Sequence, residues 1–258
     1  MSDYDRNAYA PYAMGMGRTM SAAQYDAGLR SYMLGIYNHM GIALAISGLV
    51  AIGAFMLGTT TNAAGRIVMT PFGQAIWMSP LKWVVMLAPL AFILVLSFRW
   101  ERMSFGALLG TFYSFAAVMG LSLSSVFVIY KLGSIAQVFF ITAATFGAMS
   151  LFGYTTKKDL SGMGKFLIMG LFGLVIAGIV NIFMKSSALQ FAVNVIGVLI
   201  FAGLTAYDTQ RLKEEYDSVA HDGTLIQKWS LMGALTLYLN FVNMFQMLLQ
   251  LFGIRNEE

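Results

Sequence analysis

Residues 189–210 read "LQFAVNVIGVLIFAGLTAYDTQ". A helix crosses a hydrocarbon core of ~30 Å with roughly 20 apolar residues, and this run meets that length with one formal charge, Asp208, near its end. Comparable runs recur on both sides, so seven spans are predicted at 32–57, 82–99, 104–129, 134–155, 164–184, 189–210 and 230–252. Composition agrees: the 258 residues are 58% hydrophobic and 11% charged, against about 45–50% apolar and ~25% charged in soluble domains. The chain reads as an all-α integral membrane protein whose main partner is the lipid bilayer. A seven-helix domain over 30–254 follows a flexible cytoplasmic tail at 1–29 and precedes a short C-terminal tail at 255–258. The alternative is six spans, with the last, amide-bearing segment lying on the surface. The linker 58–81 suits a short hairpin or an interfacial path. The glycines of "GALLG" (106–110) and "GLFGLVIAG" (170–178) suit close helix packing.

Lysine and arginine orient the bundle. With seven spans, eleven fall on the N-terminal side (Arg6, Arg18, Arg30, Arg99, Arg102, Lys157, Lys158, Lys165, Arg211, Lys213, Lys228) and five on the other (Arg66, Lys82, Lys131, Lys185, Arg255). Positive charge gathers on the cytoplasmic side, which predicts a cytoplasmic N-terminus and an outside C-terminus. The net charge of +4 is spread singly between apolar runs, so no nucleic-acid partner is expected. Cysteine is absent, which excludes disulfides, thiolate metal sites and cysteine nucleophiles.

No hydrolase, zincin or nucleotide-binding motif occurs, and an enzyme is not expected. Of the twelve acidic residues only Asp208 belongs to a predicted span. A charge at mid-span costs about 2.5–3.5 kcal/mol on insertion scales, so such groups face the bundle interior or water. At ~100° per residue, Asn194, Thr205 and Asp208 fall within about 60° of one another. The last span carries a second polar seam, Asn240, Asn243, Gln246 and Gln250. Two antiparallel helices with such seams face each other most economically, because lipid offers amides no partner. The plainer alternative is that the seams are interhelical hydrogen bonds alone, with Asp208 paired to Arg211 one turn on.

Three segments, "TTKKDLSGMGKFL" (155–167), "GLTAYDTQ" (203–210) and "GALTLYLNFVNMFQMLLQLFG" (233–253), resemble the conserved segments of the Bax inhibitor-1 family. The resemblance, over roughly 30–254, implies a seventh helix placed centrally and wrapped by the other six. It implies a bacterial inner-membrane, pH-sensitive calcium leak whose sensor pairs a carboxylate on the sixth helix with one on the seventh. The first falls on Asp208 and the second on Asn240, in "LYLNFVN", where calcium-leak relatives have "LYLDFIN". With one carboxylate, calcium binding at Asp208 is expected to be weak, any pH response displaced, and no other cofactor is expected. Asn194, Thr205, Asn243 and Gln246 are candidates for the pathway. In the relatives an arginine near the cytoplasmic end of the second helix latches the aspartate; Arg99 and Arg102 are the candidates, although an ungapped alignment lands on Trp100. The family also implies an alternative role as modulator or substrate of a membrane-bound ATP-dependent protease, with the N-terminal tail as the segment engaged.

Overall fold

The computed structural model describes residues 22–62 and 67–256. Arg6, Arg18 and Arg66 from the charge count, the tail up to residue 21 and residues 257–258 lie outside the described residues.

Among the described residues seven helices are long and apolar enough to cross a membrane. Their helical cores are α1 (Ala22–Gly58), α2 (Leu81–Arg99), α3 (Phe105–Leu123), α4 (Leu132–Thr155), α5 (Ser161–Met184), α6 (Ser187–Val219) and α7 (Gly223–Phe252). Side chains cap several of them in the way their sequences dictate. Ser104 accepts from the Ala107 N–H, Ser186 from the Leu189 N–H, and Asp222 from the N–H groups of Thr224 and Leu225. Beyond Leu123, α3 breaks at Ser124 and resumes over Ser125–Ile129; the Ser124 hydroxyl donates to the Leu121 carbonyl and accepts from the Trp77 indole. The 58–81 linker forms an antiparallel hairpin, β1 (Thr59–Thr61) with β2 (Ile67–Met69), Thr59 opposite Met69.

The last helix is the axis. It packs on α1, α3, α4 and α6, while α2 rests on α3 and α5 on α6. In its most apolar stretch α7 is 61% buried, against 11% for α2 and for α5, so it is an interior span and not a surface segment. Central it is, but its main packing is with four helices, the outer two being a second layer. Tyr238 and Met244 on α7 are fully buried, with Phe112 and Phe115 packed edge-on against Tyr238.

The two longest helices exceed the thickness of a bilayer core by the most. α1 has 37 residues and α6 has 33, near 50 Å or more at ~1.5 Å each, well beyond a ~30 Å core. Their overhangs pack together: Tyr25 donates to Asp217, the rings of Tyr25 and Tyr32 lie 5.3 and 5.5 Å from that of Tyr216, and Gly28 sits under the Tyr216 hydroxyl. Residues 22–29, expected as tail, are therefore helix.

Of the glycines expected to pack, Gly170 does, since a Cβ there would lie 3.1 Å from Ile200 Cδ1, and the other four do not. A Cβ on Gly106, Gly110, Gly173 or Gly178 would meet nothing within 4 Å. Close approach falls instead at Gly120 and Gly153, where a Cβ would lie 2.4 Å from the Ser47 carbonyl oxygen and 2.1 Å from that of Ala206. These are the positions that let α3 meet α1 and α4 meet α6.

Candidate functional site

The segment Asp208–Arg211 lies in α6, and successive helical residues point about 100° apart. Four neighbouring side chains thus reach four different places. Asp208, 6% exposed, faces α7, where the Asn240 Nδ2 donates to its Oδ2 at 2.8 Å. Thr209 faces α4 and hydrogen-bonds Ser150 at 3.1 Å, and Ser150 in turn meets Tyr37 of α1 at 2.5 Å. Gln210 holds the loop between α4 and α5, accepting from the Leu160 N–H at 2.8 Å and donating to the Lys158 carbonyl at 2.9 Å. Arg211 returns along its own helix, 3.3 Å from Asp208 Oδ1 and 3.3 Å from Glu215 Oε1.

The cation on Asp208 is therefore Arg211, one turn on, and not an arginine of the second helix. Arg99 and Arg102 are both exposed, and among the described residues neither enters an ion pair. In this conformation neither candidate for a helix-2 latch ion-pairs Asp208. An i,i+3 partner satisfies the carboxylate without bringing a second element across the bundle. Trp100, half-buried at the position the alignment reaches, instead lines a cavity of about 310 Å³ together with Arg211, Glu215, Trp229 and Thr236. Its ring stands edge-on to Trp229 at 5.2 Å.

The two polar seams meet in two places only. Near Asp208 the contact is Asn240. Toward the other end, Gln190 donates to Asn194 at 3.0 Å and to Gln250 at 2.9 Å, while accepting from Asn181 at 2.9 Å. Asn194, on the same predicted seam as Asp208, belongs to this second, uncharged knot. Thr205 turns its hydroxyl to the Phe201 carbonyl and Asn243 turns its amide to that of Leu239, each within its own helix. Gln246 is half-buried and joins neither knot. Sequence reasoning missed Gln190, whose signal was its i,i+4 spacing from Asn194. It also missed Ser47, which hydrogen-bonds Tyr238 at 2.7 Å and donates to the Ala116 carbonyl at 2.7 Å, tying α1, α3 and α7. His39 is hydrogen-bonded to Tyr113 at 2.9 Å, a structural partnership.

Among the described residues no three His, Cys, Asp or Glu side chains gather in a way that could hold a metal ion. In this conformation the oxygens of Asp208 face an amide N–H and a guanidinium. A calcium ion approaching as cargo would have to displace Arg211 and draw on carbonyl, hydroxyl and water oxygens for most of its shell.

Among the described residues the buried atoms Tyr32 Oη, Glu215 Oε2 and Ser230 Oγ lack a hydrogen-bond partner, and Arg211 Nε makes no hydrogen bond but ion-pairs Glu215 Oε1 at 3.3 Å. Arg211 and Glu215 border the cavity at Trp100, and the Tyr32 hydroxyl is close enough to them to feel both charges. Atoms of this kind are met by ordered water when they are met at all. This end of α6 is where polar groups and space coincide.

A family model described as inhibitor of apoptosis-promoting Bax1 matches residues 29–257. An uncharacterized protein of Caulobacter vibrioides is 42% identical over 257 residues, covering 100% of both chains. Inner membrane protein YbhL of Escherichia coli is 44% identical over 239 residues, covering 92% of this chain and 97% of that one. An uncharacterized protein of Rickettsia prowazekii is 40% identical over 246 residues, covering 95% and 99%.

Proposed function

Because the chain belongs to the Bax inhibitor-1 family, we propose that it forms a pH-responsive cation pathway, for calcium first, gated at Asp208. The observation that carries this reading is a carboxylate 6% exposed on a membrane helix, held across the α6–α7 contact by one amide and along its own helix by one arginine. The two groups attract each other only while both charges exist, and of this pair Asp208 is buried and Arg211 is 38% exposed. Protonating Asp208 removes the charge that holds Arg211 and changes what Asn240 can donate to. The α6–α7 contact then weakens from a charge-assisted hydrogen bond to an ordinary one, roughly halving its strength. The cavity beside Arg211 and the unpartnered polar atoms around it supply the hydrated approach by which protons and cations reach the site. Calcium binds weakly and transiently here, as suits a leak, since only one carboxylate is offered.

By likeness to YbhL the protein resides in the bacterial inner membrane, and the distribution of Lys and Arg supports a cytoplasmic N-terminus and an outside C-terminus.

The test is ion flux into proteoliposomes, with calcium, sodium, potassium and protons compared side by side for the wild type and Asp208→Ala. The proposal expects calcium flux that depends on pH and is altered by the substitution. Identical wild-type and Asp208→Ala flux for every ion would overturn it.

A further inference from the structure

Both α1 and α4 lean on α7, yet they meet each other sparsely, Tyr37 hydrogen-bonding Ser150 across the gap. Two cavities lie along the open seam between them, about 460 Å³ toward the C-terminal end of α1 and about 560 Å³ toward its N-terminal end. The first is walled by apolar side chains such as Ile52 and Phe140. The second lies between Arg30, Leu34 and Tyr37 on α1 and Gly147, Ser150 and Tyr154 on α4.

A glycine lines each cavity and serves no helix contact. A Cβ on Gly48 or Gly147 would meet nothing within 4 Å, whereas one on Gly120 or Gly153 would strike a neighbouring backbone. At these two positions no side chain fills the seam, which leaves room for a slender, unbranched occupant. Its mouth is cationic. Arg30 is exposed and, among the described residues, forms no ion pair. Behind it Lys213 donates to the Tyr154 carbonyl at 3.1 Å and stands 5.0 Å over the Tyr154 ring. A positive, tyrosine-bearing mouth above an apolar trough is amphiphile-shaped. An extended peptide would bring unpartnered backbone groups against the apolar walls; a zwitterionic lipid would bring no net charge to Arg30.

We infer that the α1–α4 seam binds a single anionic phospholipid, drawn from the leaflet at the N-terminal end of α1, with Arg30 on its phosphate and one acyl chain lying over Gly147. The site is independent of Asp208 and of any ion flux.

The test is native mass spectrometry of the full chain, extracted in mild detergent from vesicles of equal phosphatidylglycerol and phosphatidylcholine. One phosphatidylglycerol should be retained in about fivefold preference to phosphatidylcholine, the ratio expected of one interfacial arginine. Arg30→Gln, an exposed substitution that leaves the core intact, should reduce that preference to near unity. Gly147→Leu, which projects into open space, should remove both lipids. Excess inorganic phosphate should displace nothing. Equal retention of the two lipids by the wild type, unchanged retention in Gly147→Leu, or displacement by phosphate would each overturn the inference.

Discussion

Helices α6 and α7 are tied at two levels by amide side chains, and the two ties differ in one respect. Gln190 joins Asn181, Asn194 and Gln250 through neutral hydrogen bonds, whereas Asn240 donates to a carboxylate that also carries an arginine. The neutral knot has a single protonation state at any physiological pH, so it can only hold. The charged knot has two, so it can hold or let go. Polar residues inside a membrane bundle are therefore not equivalent signs of function. The titratable one is the candidate switch, and its neutral counterpart is the internal control.

That contrast can be broken from either side. The largest effect is expected from Asn240→Asp, which places a second carboxylate against the first. Two like charges in one low-dielectric site cannot both ionise easily, so the flux response to pH should move by about one to three units. A flux titration that superimposes on the wild type would show that Asn240 does not sense the charge of Asp208. Arg211→Gln comes next. Losing the cation no longer favours the ionised carboxylate, and the midpoint should move to higher pH by about one unit, while Arg99→Gln and Arg102→Gln leave it in place. If either of those two moves the midpoint and Arg211→Gln does not, the intrahelical pairing is the wrong one.

Gln190→Leu tests the control. It strands three amide groups and should cost about 1–2 kcal/mol, since interhelical hydrogen bonds in membranes contribute ~0.6 kcal/mol each and at most about 1.7. Thermal unfolding in detergent should register that loss while the pH midpoint stays put; a moved midpoint would erase the distinction between the knots. The smallest effect is expected outside the membrane. Asp159 accepts from the Ser161 N–H at 2.8 Å, and hydrogen bonding to Ser161 holds its carboxyl below the usual range. Its contribution is present above the unfolded-state value and fades as pH falls through the lower, folded one. Asp159→Ala should thus lower the melting temperature slightly at neutral pH and not at strongly acid pH, with no change in flux midpoint.

Much of this architecture was legible from residues alone, for a physical reason. Hydropathy reads the thickness of a bilayer, and the run 189–210 with its companions marked seven crossings because lipid imposes that length. It does not read where a helix stops. The start of α1 at Ala22 and the end of α6 at Val219 lie in polar sequence, held by Tyr25, Asp217 and Tyr216, contacts that no periodicity announces. Asp208 and Asn240, paired from the sequence, stand in contact. The latch was sought on the second helix through resemblance, yet Arg211 already sat at the i+3 position of the same helix. Asn194 shared a helical face with Asp208 but not a depth, and depth decides which partner an amide can reach. Of the alternative role with an ATP-dependent protease, the decisive segment lies outside the described residues; deleting residues 2–21 should leave ion flux intact and abolish any protease association.

The central claim is that protonation of one carboxylate sets the state of the α6–α7 contact. The most direct measurement is calcium flux across a pH series for Asp208→Asn beside the wild type, because asparagine keeps the shape and hydrogen-bonding capacity of the side chain and removes only its titration. The account predicts flux that no longer varies over the pH range in which the wild type responds. A mutant that retains the wild-type pH response would contradict it.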